Sequence, residues 1–157
     1  MATITLDDLT TMTQEQLDDL FRSSPLGDIP DGDALGTAIV APGTDIEQPV
    51  LMLARWLAWQ GKVFDRTRGE LVNKVSPIGL HLFKASVYVA PSWFDGQPAI
   101  ILDYSKKSLM ARKVRDEIRE VSPGMFLGIV FWDHTKTINF VLQFLRAGAA
   151  LREGVPV

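Results

Sequence analysis

The sequence predicts a mainly β protein with minor α, an antiparallel barrel or strongly curved sheet with one or two packed helices. Three observations lead there. Apolar and polar residues alternate with a period of two, as in Ile138, Phe140, Leu142 and Phe144 against Asn139 and Gln143. The alternating runs are separated by short turn signals: Arg66 to Gly69, Asp95-Gly96, Ser122-Pro123-Gly124 and Asp133 to Lys136. About seven or eight such strands, joined consecutively, close on themselves because closure removes exposed sheet edges.

In chain order, Thr13-Gln14-Glu15-Gln16 opens a helix as a capping box, with Leu17, Leu20 and Phe21 as its apolar stripe. Ser23 to Asp33 holds two prolines and two glycines and reads as a loop. Leu35 to Ala41 reads as a strand. A second helix is expected from about Asp45 to Trp59, because Val50, Leu53, Ala54 and Leu57 recur at helical spacing. Gly61 ends it, and Lys62-Val63-Phe64 begins a strand. Glu70 to Val75 is the next strand. The segment from Ser105 to Arg115 is ambiguous, while Asp116 to Val121 suits a strand. Met125 to Trp132 is apolar on both faces, and Ile138 to Phe144 closes the series. The chain reads as one domain over 1–157, with residues 1–33 as N-terminal helix and loop and 146–157 as a flexible tail.

Residues 81–104 form the organising hairpin. With Asp95-Gly96 as a two-residue loop, Phe94 faces Gln97, Val89 faces Leu102, Tyr88 faces Asp103 and Val87 faces Tyr104. One face then carries Phe83, Ala85, Val87, Val89, Ile100, Leu102 and Tyr104. Lys84, Ser86, Tyr88, Ile101 and Asp103 occupy the other. Gly96 is expected at positive φ.

The composition, 46% apolar and 22% charged, is that of an ordinary globular domain, and the net charge of −3 argues against a nucleic-acid partner. The absence of cysteine excludes disulfides, thiolate metal sites and a cysteine nucleophile. The acidic N-terminus lacks a signal-peptide pattern and no run has the length of a membrane span, so a cytoplasmic protein is expected, with homodimerisation left open. No phosphate loop, nucleophile elbow or dinucleotide fingerprint is present. No cofactor is expected, and two distant histidines make no metal site.

The run Trp59-Gln60-Gly61-Lys62-Val63-Phe64, followed by Asp103, by Asp116, Arg119 and Val121, and by Leu127-Gly128, resembles the lipocalin-like (calycin) GXWXG-type families of small bacterial and fungal proteins. The resemblance covers about residues 56–132. It implies a calycin-like antiparallel barrel whose interior holds a small, mostly apolar molecule such as a lipid, an isoprenoid or a polyketide.

Asp103 and Asp116 are the carboxylates expected to bear chemistry. Asp103 ends an apolar run with Tyr88 opposite, so it is either a cavity acid–base group or the acceptor of a Tyr–Asp hydrogen bond that fixes the sheet. As a strand, 114–120 puts Val114, Asp116, Ile118 and Glu120 on one face, opposite Arg115, Glu117 and Arg119. His81 shares the face of Phe83 and Val87 and would assist catalysis only in an enzyme. The expected ligand-binding residues are Trp59 near the mouth with Phe83, Tyr88, Tyr104, Arg119 and Phe126. A non-catalytic binder of a hydrophobic molecule and a cofactor-independent cyclase, isomerase or hydrolase using Asp103 or Asp116 both follow from this pattern.

Overall fold

The computed structural model describes residues 3–39, 62–73, 83–106 and 112–144. Two short helices, α1 (Leu6–Thr11) and α2 (Gln14–Ser23), precede eight strands: β1 (Gly32–Ile39), β2 (Lys62–Asp65), β3 (Glu70–Asn73), β4 (Phe83–Pro91), β5 (Pro98–Asp103), β6 (Val114–Ser122), β7 (Met125–Trp132) and β8 (Thr135–Phe144). Every strand pairs antiparallel with its chain neighbours, and β1 pairs with β8 to close the barrel. No helix among the described residues is long and apolar enough to cross a membrane.

Both helices start on capping boxes, which satisfy backbone N–H groups that have no partner within the helix. Thr5 with Asp8 opens α1, which sequence reading missed, and Thr13 with Gln16 opens α2. Leu9, Leu17 and Phe21 are buried against Ile101, Leu127, Ile129, Phe131 and Val141 on the outer barrel wall. Each such side chain contributes about 1.5–3 kcal/mol when fully buried. This packing explains why β5, β7 and β8 are apolar on both faces: one face lines the interior and the other lies under the helices. The helix expected at 45–59 lies outside the described residues.

The interior is a second, separate cluster. Phe64, Leu71, Val87, Ile100, Leu102, Val114, Ile118, Phe126, Val130, Ile138, Phe140 and Leu142 all point inward. The Phe140 ring lies over Gly128, where a Cβ would come within 2.2 Å of it, so this strand position requires glycine.

The two ends of the barrel differ. At one end the connections are short turns: 66–69, 92–97 and 123–124. There Leu26 and Ile29, from the segment after α2, pack onto the interior cluster, and Phe144 meets Phe64 at 5.3 Å and Phe126 at 5.7 Å between ring centroids. Arg66 Nε donates to the Ile29 carbonyl at 2.6 Å and holds that segment down. The segment crosses beside Glu120, with Gly27 at φ +74° and no room for a Cβ. The opposite end carries the connections 40–61, 74–82 and 104–113 and the tight turn 133–134.

The hairpin differs from its expected register. Pro91 pairs with Pro98, Val89 with Ile100, Tyr88 with Ile101, Val87 with Leu102 and Ser86 with Asp103. The loop is 93–96, closed by Ser92 N to the Gln97 carbonyl at 2.8 Å and Gly96 N to the Ser92 carbonyl at 2.9 Å. Relative to a two-residue turn every partner moves by two positions, so each residue keeps its expected face. Gly96 has φ +76°. The loop opens because Glu117, on the outer face of β6, accepts from Ser92 Oγ and from Trp93 N (2.8 Å).

Candidate functional site

Three polar side chains interrupt the apolar interior. Lys62 opens β2 in alternation with Phe64 and points inward. Asp116 lies on β6 between Val114 and Ile118, and Tyr104 directly follows β5. Lys62 and Tyr104 are completely buried and Asp116 nearly so. Lys62 Nζ donates to Tyr104 Oη at 2.9 Å, and Asp116 Oδ2 lies 3.6 Å from Nζ and 3.5 Å from Tyr104 Oη. Among the described residues Asp116 Oδ1 has no hydrogen-bond partner.

Burial governs the electrostatics of this group. It raises the Asp116 pKa to about 6, against the opposing attraction and hydrogen bonding of Lys62 and Tyr104; nearby Glu117 adds to the rise. Burial also lowers the Lys62 pKa, with Asp116 acting in the opposite direction. Burial therefore shifts both groups in the direction of their neutral forms. Such a pair can donate and accept protons near neutral pH.

Of the residues expected at the site, Asp116, Tyr104 and Phe126 lie in the interior. Phe83 is described by its backbone alone, which pairs with Asn73. Trp59 and His81 lie outside the described residues. Three expectations need correction. Asp103 is on the outer face, where its carboxylate accepts from Tyr88 Oη (2.7 Å), Ser105 N (2.9 Å) and Ser105 Oγ (2.6 Å). Burial pushes its pKa up, but the Ser105 and Tyr88 hydrogen bonds outweigh it and hold the value below the ordinary carboxylate range. Tyr88 is its exposed outer partner, its own pKa raised to about 12 by burial and by Asp103. Asp103 and Tyr88 thus make the sheet-fixing hydrogen bond rather than a cavity acid.

Arg119 is also outside the barrel, buried beneath α2. Its guanidinium donates to the Pro98, Phe21 and Gln97 carbonyls and bidentately to Asp95, at 2.6 and 2.8 Å. All five of its donors are used, one of them on a carbonyl in the last turn of α2. It is a clamp between helix, hairpin loop and barrel wall.

Sequence reading did not single out Lys62 as a site residue. The signal was its alternation with Phe64, which assigns it to the inward face, although a lysine opening a short strand ordinarily reads as solvated.

The outer wall carries a cleft of about 220 Å³ bordered by Trp93, Asp103, Arg112, Lys113, Arg115 and His134. His134 stacks on Trp93 at 4.1 Å and Arg115 lies over the same ring at 4.1 Å. Arg115 also pairs with Glu117 at 3.0 Å.

No protein-family model and no curated protein matches the chain. A crystal structure of a protein from Thermomonospora curvata is similar in fold: the TM-score is 0.58 at 18% identity, over 86% of this chain and 89% of that one. The likeness extends to the architecture of the barrel.

Proposed function

We propose that the barrel interior binds a small hydrophobic molecule, such as a lipid, isoprenoid or polyketide-like compound, with its polar end at Lys62, Tyr104 and Asp116. The observation that carries this is Asp116 Oδ1, a buried carboxylate oxygen without a partner among the described residues, set in an apolar enclosure. An unmatched buried polar atom costs about 1–3 kcal/mol, which a ligand hydroxyl or N–H would recover. Apolar cavities orient their ligands through a few such groups. Phe126 and Phe140 supply an apolar surface for the ligand's body. A lipocalin-like relationship belongs to the same proposal: consecutive strands close the barrel, and one end is covered by Leu26 and Ile29 of the N-terminal segment.

Displacement of the fluorescent probe N-phenyl-1-naphthylamine by 1-decanol tests this. Saturable one-to-one probe binding is expected, with decanol competing. Asp116→Leu is expected to weaken decanol by about tenfold, the equivalent of one hydrogen bond. Absence of saturable probe binding would overturn the proposal. A second reading, a cofactor-independent enzyme using Asp116 as acid or base with Tyr104 assisting, draws support from the Asp116 pKa of about 6.

A further inference from the structure

We propose that Lys62 is a nucleophilic lysine and that the barrel captures aldehydes or ketones as imines. The inference rests on the interior being the ligand site and names the chemical class of what binds there.

The geometry places three groups where imine chemistry needs them. Lys62 Nζ is the nucleophile, inside an apolar enclosure that excludes bulk water. Tyr104 Oη, 2.9 Å from Nζ, is positioned to hydrogen-bond a carbonyl oxygen arriving at the amine. Asp116 Oδ2 lies within 3.6 Å of both groups and supplies a proton donor and acceptor. Its second oxygen is buried and has no hydrogen-bond partner among the described residues. A simple tether between β2 and β6 would leave neither that oxygen unmatched nor the Lys62–Asp116 contact as long as 3.6 Å.

The electrostatics agree with the geometry. An amine attacks only when neutral, and desolvation shifts Lys62 in that direction. Desolvation likewise leaves Asp116 able to carry a proton near neutral pH.

The steps balance without an oxidant or a cofactor. The Nζ lone pair forms a bond to the carbonyl carbon, and the C=O π electrons move to oxygen, which takes a proton from the Asp116 carboxyl; the nitrogen gives one of its two protons to the carboxylate so formed, leaving a neutral carbinolamine and the Asp116 carboxyl restored. The resulting carbinolamine hydroxyl takes a proton from the Asp116 carboxyl and leaves as water while C=N forms. The nitrogen then returns its proton to the Asp116 carboxylate. Amine and carbonyl give imine and water, and hydrolysis reverses the sequence to release the ligand.

The test is reductive trapping of the full-length protein at neutral pH. Limiting trans-cinnamaldehyde or hexanal is added with sodium cyanoborohydride, followed by intact mass spectrometry and peptide mapping. N-phenyl-1-naphthylamine binding is measured on the same sample. One adduct per chain is expected at Lys62, forming at least tenfold faster than at the exposed Lys84, Lys106 and Lys113. It should vanish in Lys62→Met and form at least tenfold more slowly in Asp116→Asn. Probe binding with adducts spread over the surface lysines, or with no adduct at all, overturns the imine proposal and leaves the binding site standing. Loss of both probe binding and selective trapping overturns the two together.

Discussion

Strand β6 contributes Arg119 to a buried ion pair on its outer face and Asp116 to one on its inner face, and the two are built differently. Outside, Arg119 and Asp95 form a bidentate pair with contacts of 2.6 and 2.8 Å, and every remaining guanidinium donor reaches a backbone carbonyl. Inside, Lys62 and Asp116 approach only to 3.6 Å and one carboxylate oxygen is unmatched among the described residues. A buried charge is tolerated when its hydrogen-bonding capacity is used. The outer pair meets that condition and holds the fold together. In the inner pair Asp116 Oδ1 does not, among the described residues, which is the property expected where a ligand completes the coordination. The electrostatics follow: hydrogen bonding from Arg119 holds the Asp95 pKa below the ordinary carboxylate range, whereas burial pushes Asp116 above it.

The largest test of this contrast is on the outer face. Arg119→Met leaves Asp95 and the Phe21, Pro98 and Gln97 carbonyls without their donor. Removing one partner of a buried pair costs about 3–5 kcal/mol, and urea denaturation is expected to show a loss of that size. A loss below about 1 kcal/mol would mean that the clamp is ornamental.

The two pairs also predict opposite pH slopes. Asp116 has a raised folded-state pKa, so its contribution is fully present below pH 3.8 and is lost as pH rises through about 6. Asp95 has a lowered one, so its contribution is present above the unfolded value and is lost as pH falls through the folded one. The stability of the wild type relative to Asp116→Asn is expected to decline on the order of 2–3 kcal/mol between pH 3.8 and 6. Lys62, whose pKa is lowered, gives the reverse trend only at pH values below its unfolded 10.5 and above its folded value. A flat difference curve across the acid window would contradict the burial assigned to Asp116.

The smallest effect sharpens the contrast. Replacing the inner pair by apolar residues, Lys62→Met with Asp116→Leu, is expected to leave stability unchanged or raise it by about 1 kcal/mol or more, since similar swaps remove a desolvation penalty. The same variant should lose selective imine trapping. A destabilisation comparable to that of Arg119→Met would make the inner pair a structural clamp as well.

Much of this was legible in the chain. The alternation of β6 assigned Asp116 and Arg119 to opposite faces, and that of β4 and β5 sorted Val87, Ile100, Leu102 and Tyr104 onto one face, which the structure turns inward. The capping box at Thr13 and the stripe of Leu17 and Phe21 announced α2. The apolar character of both faces of β7 was visible in the chain, but the helices that cover its outer face, α1 among them, were not tied to it. The roles of the charged residues were less legible. Arg119 read as a candidate ligand contact because its partners, Asp95, Phe21, Gln97 and Pro98, come from α2, the β4–β5 loop and β5. Asp103 read as a candidate cavity acid because its face could be derived while the location of the cavity could not.

By itself the sequence determined the strand period and the places where the chain turns, and hence an antiparallel barrel or strongly curved sheet, because these rest on local sterics and on the two-residue repeat of a strand. Register and partnership were decided by tertiary structure. Glu117 draws Ser92 and Trp93 toward β6 and opens the hairpin loop that Asp95-Gly96 alone would have closed more tightly. Barrel closure brings Lys62 of β2, Tyr104 after β5 and Asp116 of β6 into contact across the interior, and excludes the solvent that would otherwise set their protonation. Desolvation depends on everything that surrounds a group, so only the assembled barrel turns a lysine at the start of a strand into a candidate nucleophile.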